Sequence, residues 1–463
     1  MKSAIKNSVD VFRSFIETIA PLNRSICSPG LDQALYLIKR EFIPELEIES
    51  YPTGSDAWTW ILPRKWDIAE AYLSDGQRKL IDFKDEPLCV WSGSLSVDRD
   101  VSYDELMKHT HTDRDYPDLI RWYFRYYGTL DWGFNLPYKL VRDLDPKGTY
   151  RAVIKSRYYD DDFRVGSVFL PGKTASTILV ISDICHPFQC NDSLTGAAVN
   201  LALYYKLRET SDRFYSYLFI FVPETIGTIA FLANNEAVIP DLVYAIYSEF
   251  LGRDLLLHFQ QSVSGDTQLD RAAKEHLGNH YKSDQYKIMP FRQGGVTNDE
   301  MVLACPPMHV PSIAFNRRNS GPLYFREYHS NEDTPARLNF DKIEEGFHMI
   351  SGCLDILEKN RTIPDPSEKI FRCAPEFSGH PEDDFVPVPK FKGPPFLSRF
   401  GLWVDWRVEP ELNAAVDLIV ACLDGNNSVA EIAAFVNLPY DTIRAYVECF
   451  EKQGLIFRKN RLA

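Results

Sequence analysis

Three short segments carry side chains able to handle a metal ion or a proton. In ISDICHPFQCNDSLTG, His186 and Asp192 follow an apolar run, and Asp192 sits just ahead of a helical pattern. An imidazole and a carboxylate on one such turn can converge on a zinc ion. In FIFVPETIG, Glu224 ends a second apolar run before Gly227 and another helical pattern, where a carboxylate can serve as general base. In REYHSNED, His329 comes after the last apolar run, with Glu327, Tyr328, Glu332 and Asp333 around it. Each signal has an ordinary structural explanation. A histidine near a strand end is commonly a hydrogen-bonded structural residue, Asp192 suits a helix N-cap, and Glu224 complements a helix dipole. The recurrence at three separate strand ends is what argues for chemistry. Cys185 and Cys190 flank the first segment and are expected to be packed thiols.

These side chains must be positioned by strands that alternate with helices. STILVISDI, YSYLFIFVP, DLVYAIYSEFL and VPSIAFNR are apolar, β-branched and aromatic runs of strand length. SLTGAAVNLALYYKL and TIGTIAFLANN between them read as helices. Fully apolar strands separated by helices predict an α/β fold with a largely parallel sheet covered on both faces. Functional groups in such a sheet belong just past the carboxyl ends of strands, where all three segments fall. TYRAVIKSRY and RVGSVFLPG read as a hairpin leading into it. Residues 8–45 have helical periodicity through Val11, Phe12, Phe15, Ile16 and Ile19, then Leu35, Ile38 and Phe42.

The rest of the chain divides by composition. The domain reading is residues 1–48 and 146–365 for the core, with 49–145 as an inserted β-rich domain of short apolar stretches and charged turns. Residues 366–398 are a proline-rich linker, and 399–463 form three short amphipathic helices closed by a wing, the outline of a winged helix-turn-helix. At 463 residues the chain is too long for one ordinary core. Its nine scattered cysteines fit reduced thiols, with no CxxC pair for a thiolate zinc cage. The N-terminus lacks a continuous apolar segment, and no run approaches membrane-spanning length, so a cytoplasmic protein without membrane partners is expected. A net charge of −14 argues against nonspecific nucleic-acid binding.

Taken together, PLNRSICSPG, WTWILPRKWDIAEAYLSDGQRKLIDFKD, HPFQCNDSLTG, PETIGTIAFL and REYHSNED resemble the zinc-dependent exopeptidase superfamily. The closer resemblance is to a bacterial aminopeptidase-like group with an inserted β-rich domain and a C-terminal winged helix, often associated with polysaccharide or secondary-metabolite gene clusters. The resemblance runs over nearly the whole chain. It implies a three-layer α/β/α core with a mixed, mostly parallel sheet, zinc held by His186, Asp192 and His329, and Glu224 as general base in hydrolysis of a peptide or amide bond.

Two departures qualify the implied chemistry. Di-zinc aminopeptidases have a second carboxylate directly after the base, where this chain has Thr225. After the third strand the chain reads SEFLGRDLL, with Arg253 where the group has an Asp and with Asp254 or Glu249 as substitutes out of register. One zinc is therefore expected, a second remaining open. In FRQGGVTNDEMVLACPP only Asp299 and Glu300 keep register with the group's acidic run; they are candidates for holding a substrate amine, as Arg253 and Tyr328 are for other substrate groups. The lost acidic positions also motivate a rival expectation, a non-catalytic binding protein.

A DNA-binding regulator is the third reading, suggested by the winged helix. From Phe400 onward six basic side chains face nine acidic ones, the wrong balance for reading phosphates. The domain is better read as a protein-interaction or dimerisation module, with a homo-oligomer expected. His109 and His111 are candidates for reaching the site from the inserted domain, though surface positions suit them equally.

Overall fold

The computed structural model describes residues 8–125, 127, 129–292, 298–319, 323–374, 377–379 and 381–460. Pro375 of the linker and the last three residues of the expected wing lie outside these. Eight strands make one mixed sheet. They are β1 (Glu47–Pro52), β2 (Asp162–Leu170), β3 (Thr177–Asp183), β4 (Ser216–Val222), β5 (Leu242–Ser248), β6 (Leu257–Gln260), β7 (Tyr286–Met289) and β8 (Ser312–Arg317). Their spatial order is β1-β2-β4-β3-β5-β8-β6-β7. The central strands β4, β3, β5 and β8 run parallel. On one flank, β1–β2 and β2–β4 pair antiparallel; on the other, β6 is antiparallel to β8 and parallel to β7.

Residues of β3 alternate between two cores. Ile178 and Val180 pack in one cluster with helices Ser8–Ile19, Leu194–Glu209 and Phe340–Asn360. Leu179 and Ile181 pack in another with helix Ile226–Asn234 and with Val302 and Leu303 of helix Asp299–Ala304. Successive strand side chains point to opposite faces, so burial on both faces requires the continuous apolar runs seen in the sequence. Every residue of β3 and β4 is buried.

A second, antiparallel sheet is ordered Lys79–Asp82, Lys65–Ser74, Thr149–Tyr159, Val97–Ser102. Thr149–Tyr159 pairs with two neighbours there, whereas β2, which follows it almost directly, enters the large sheet. The expected hairpin between these strands does not exist: each finds its edge partners in a different sheet. The second sheet thus takes in residues beyond 145. Its own core gathers Trp66, Ile68, Ile120, Trp122, Trp132 and Phe134.

The proline-rich stretch is more than a linker. Its strand Phe385–Pro389 pairs antiparallel with Ile456–Asn460, closing a unit with helices Pro410–Cys422, Val429–Val436 and Tyr440–Lys452. The core of this unit also includes Phe291, Met301, Ala304 and Cys305, so it is seated on the main body. All nine thiols are free. Among the described residues no helix is long and apolar enough to cross a membrane.

Candidate metal centre

The four parallel central strands end on the same side of the sheet, and each end delivers an acid or an imidazole. His186 and Asp192 lie in the loop from β3 to helix Leu194–Glu209, and Glu224 follows β4 ahead of helix Ile226–Asn234. Glu249 directly follows β5, and the loop after β8 brings His329. One ligand atom each from His186, Asp192 and His329 lies within 4.8 Å of the others. His186 Nδ1 is 3.6 Å from Asp192 Oδ1, and His329 Nε2 is 3.1 Å from Asp192 Oδ2. These last two atoms are not aligned for a hydrogen bond, and each is buried without another partner. Two imidazole nitrogens and a carboxylate converging in this way, with the apposed atoms left over, are a donor set that fits zinc with an open position. The Asp192 side chain does not cap the helix: Ser193 is the N-cap residue, and no side-chain cap bond forms there.

Glu224 Oε2 stands 3.4 Å from His186 Nε2, with 27% of the Glu224 side chain exposed. Its backbone N–H donates to Cys185 Sγ at 3.2 Å, and the next N–H, of Thr225, donates to Asp299 Oδ2 at 3.0 Å. Cys185 with His186 and Glu224 makes a second close group of metal-type ligands. Burial, then the charges of Glu224 and Asp183, push the Cys185 thiol well up, so it is a neutral packing and acceptor group. Burial followed by repulsion from Asp192 and Asp299 raises the Glu224 carboxyl well above the usual range. Burial lowers His186 to about 4, which leaves the ring neutral and available as a ligand near neutral pH. For Asp192 burial acts upward, but His186 and His329 outweigh it and the carboxyl is lowered.

The sequence motifs outside the ligands hold this loop. The Arg24 guanidinium, from PLNRSICSPG, is fully buried and donates to the carbonyls of Ile184, His186 and Gln189 and to those of Ile19 and Ala20. Asp333 accepts the backbone N–H groups of Cys190, Asn191 and Asp192. His186, Thr225, Phe250 and His329 all have left-handed backbone, with φ of 72°, 60°, 53° and 50°. Such conformations cost about 1–3 kcal/mol each and persist only where surrounding structure enforces them.

His186, Asp192, Glu224 and His329 open into a cavity of about 570 Å³. Its walls are largely aromatic: Trp60, Trp122, Tyr123, Phe124, Tyr127 and Phe250 among others. Tyr328 lines it and stacks on His329, with centroids 3.9 Å apart. The Trp122 ring makes T-shaped contacts with both His186 and His329, with ring centroids 4.9 Å apart in each. The sequence reading did not single out this wall, although the aromatic run RWYFRYY was its visible signal. His109 and His111 are elsewhere, stacked on Trp132 and Tyr123.

Other candidate residues are placed as follows. Glu249 lines the cavity and accepts from Tyr247 Oη at 2.9 Å. Asp254 is 82% exposed beside Lys342. Arg253 is paired with Glu327 and Asp333 at 3.4 and 3.5 Å and is not among the residues lining the cavity. Asp299 and Glu300 are fully buried beneath it. Asp299 holds Thr225, and Glu300 accepts from Gln260 Nε2 and the Asn298 N–H.

Comparison with known proteins bears on the fold. Residues 13–360 match the model of a family described as a domain of unknown function, DUF4910. A Clostridium acetobutylicum protein, provisionally named for polysaccharide biosynthesis and carrying an aminopeptidase-like domain, is 29% identical over 383 residues, covering 81% of this chain and 86% of its own length. The crystal structure of a protein from the same organism, provisionally named a peptidase, superposes with a TM-score of 0.70 at 24% identity, over 98% of each chain. BSAP, a zinc aminopeptidase from Bacillus subtilis, superposes with a TM-score of 0.58 at 12% identity, over 77% of this chain and 96% of its own. The fold is that of the zinc aminopeptidases, with small antiparallel sheets added.

Proposed function

This chain belongs to the DUF4910 family, whose model spans most of its length, and we propose that it is a zinc-dependent, aminopeptidase-like hydrolase of a peptide or other amide bond. One observation carries the reading: His186, Asp192 and His329 converge within 4.8 Å at the floor of an aromatic cavity, with Glu224 at 3.4 Å from His186. A zinc ion held by these three residues would supply Lewis acidity, acidifying a water molecule and polarising a carbonyl. The chain itself handles the proton. Glu224 accepts it at the carboxylate facing the cavity and returns it to the departing amine. The aromatic walls and the module that carries them exclude bulk water and set the size of the substrate. Tyr328, which lines the cavity, would touch that substrate.

A single zinc suits Thr225 in place of a second acid. Glu249 is the carboxylate a second ion would recruit, since it lines the cavity and Asp254 does not. A specialised biosynthetic amide is the favoured substrate class, in keeping with the provisional name of the clostridial relative. The C-terminal unit is read as a winged-helix-like interaction module supporting a homo-oligomer. Its Arg444 pairs with Asp383 and Glu448, and Arg458 with Glu448 and Glu451, so these cations are neutralised within the chain instead of being free for phosphates. Trp403 and Trp406, 52% and 62% exposed, offer apolar surface to a protein partner.

The test is metal content of the untagged protein beside Asp192→Ala. About one zinc per chain, lost in the variant, followed by amide hydrolysis that Glu224→Gln abolishes with zinc retained, is the expected result. No zinc uptake would instead favour a non-catalytic binding protein.

A further inference from the structure

The three ligands are not held by the same part of the molecule. His186 and Asp192 are fixed from within the main body, by Arg24 and Asp333. His329 is fixed from the module of the second sheet. Residues 120–122 of that module run antiparallel to the His329 loop, bridging at Arg121 and Ser330. The Trp122 N–H donates to the His329 carbonyl at 2.6 Å, and the Asn331 N–H donates to the Ile120 carbonyl at 3.1 Å. Asn331 Oδ1 accepts from the Ile120 N–H at 3.0 Å. Arg121 Nη1 donates to the carbonyls of Arg326 and Tyr328 at 2.9 and 2.5 Å, while its Nε is anchored on Asp113 at 2.8 Å. Ile120 and Trp122 are themselves locked into the module's core.

We propose that residues 120–122 form a latch that presets His329 for metal, making the inserted module an integral part of the metal centre, with Arg121 and Asn331 as positioning residues. His329 sits on left-handed backbone at φ 50°, a conformation that external contacts must maintain. Released from the latch, the loop stays tied to the main body through Asp333 and Glu327, but the backbone of His329 itself is no longer enforced and the third ligand must be ordered at the moment of binding. Partners that orient a metal ligand are commonly worth about 10–100-fold in affinity. The same segment supplies Trp122 to the cavity wall, so docking of the module completes the ligand set and shapes the cavity in one event.

This inference rests on the proposed zinc site, and the experiment separates the two. Zinc affinity is measured by competition with a chromophoric chelator for the full-length protein and for Arg121→Lys, Asn331→Ala and His329→Ala. Arg114→Ala serves as a control on an exposed part of the same module, where Arg114 lies over the Tyr138 ring. The latch predicts zinc binding weakened about 10–100-fold in Arg121→Lys and Asn331→Ala, with Arg114→Ala unchanged and both latch variants still folded without metal by circular dichroism. It also predicts that Arg121→Lys has no further effect in the His329→Ala background, since coupled residues are not additive. A general structural role would give additive losses. Wild-type affinity in the folded latch variants, or full additivity, overturns the latch while leaving the zinc site standing. Failure of the wild-type protein to bind zinc overturns both. Asn331→Ala decides the matter should Arg121→Lys not fold.

Discussion

Asp333 Oδ2 accepts the backbone N–H of Asp192 at 3.1 Å, so an acid four residues beyond His329 fixes the loop that carries Asp192. Its other oxygen takes the Asn191 N–H at 3.0 Å. Burial raises this carboxyl to about 7, against the opposing charge of Arg253. Asp333→Ala would strand buried N–H groups that cost about 1–3 kcal/mol each when unpaired. A loss of about 3 kcal/mol in urea unfolding, at unchanged m-value, is expected together with weaker zinc binding. A change below about 0.5 kcal/mol, the ordinary scatter of surface substitutions, would mean the loop does not depend on Asp333.

Arg24→Lys is expected to be nearly as damaging as removal of the side chain. The guanidinium spreads its donors over carbonyls of the first helix end and of the ligand loop, a fork that one ammonium point cannot reproduce. Burial lowers Arg24 only to about 10, so it stays charged at neutral pH. Stability should fall by about 3 kcal/mol, within the range for breaking a buried charged network, as read by denaturant midpoint. A lysine variant of wild-type stability would contradict this account of the PLNRSICSPG motif.

Gly196→Ala should compromise folding. A Cβ there would lie 1.7 Å from the Ser248 carbonyl oxygen, where helix Leu194–Glu209 crosses β5 beside Glu249. Overpacking against backbone costs typically about 1–3 kcal/mol and can exceed that. Gly278 is the internal control, being exposed in helix Gln268–His280 with nothing near its missing Cβ. Gly278→Ala should instead stabilise by about 0.5–1 kcal/mol. Equal transition temperatures for the two variants would refute the close approach.

The pH dependence of the metal-free protein carries an unusual component. Burial raises Glu300 to about 7, against hydrogen bonds from Gln260 and Asn298. An acid whose folded pKa is raised binds more protons folded than unfolded between its two pKa values. Its contribution is therefore complete below about pH 4.3 and is lost as pH rises toward 7, amounting to about 3 kcal/mol. Glu300→Gln should remove that part of the slope, in unfolding free energies measured across pH 4–8. An unchanged slope would show that Glu300 ionises without penalty.

Much of the core was legible because double burial leaves a local mark. The runs at β3, β4, β5 and β8 have apolar centres on both faces because both faces are covered. His186, Asp192, Glu224 and His329 stood out because polar groups interrupt those runs where strands end. Short strands leave weaker marks: β6 and β7 are four residues each and were not anticipated. The split of two consecutive strands between separate sheets was equally hidden, since their alternation is the same whichever partner they meet.

The sequence by itself determined the central strands, the helices between them and the residue types that end those strands, because periodicity and burial are properties of neighbours along the chain. The tertiary structure alone decided what those residues face. It turned Arg253 toward Glu327 and Asp333, set Asp299 beneath Thr225, and brought Trp122 from the inserted module against both imidazoles. Such partners are chosen by packing between segments far apart in the chain, through hydrogen bonds to backbone atoms that every residue possesses, and these leave no trace in residue type.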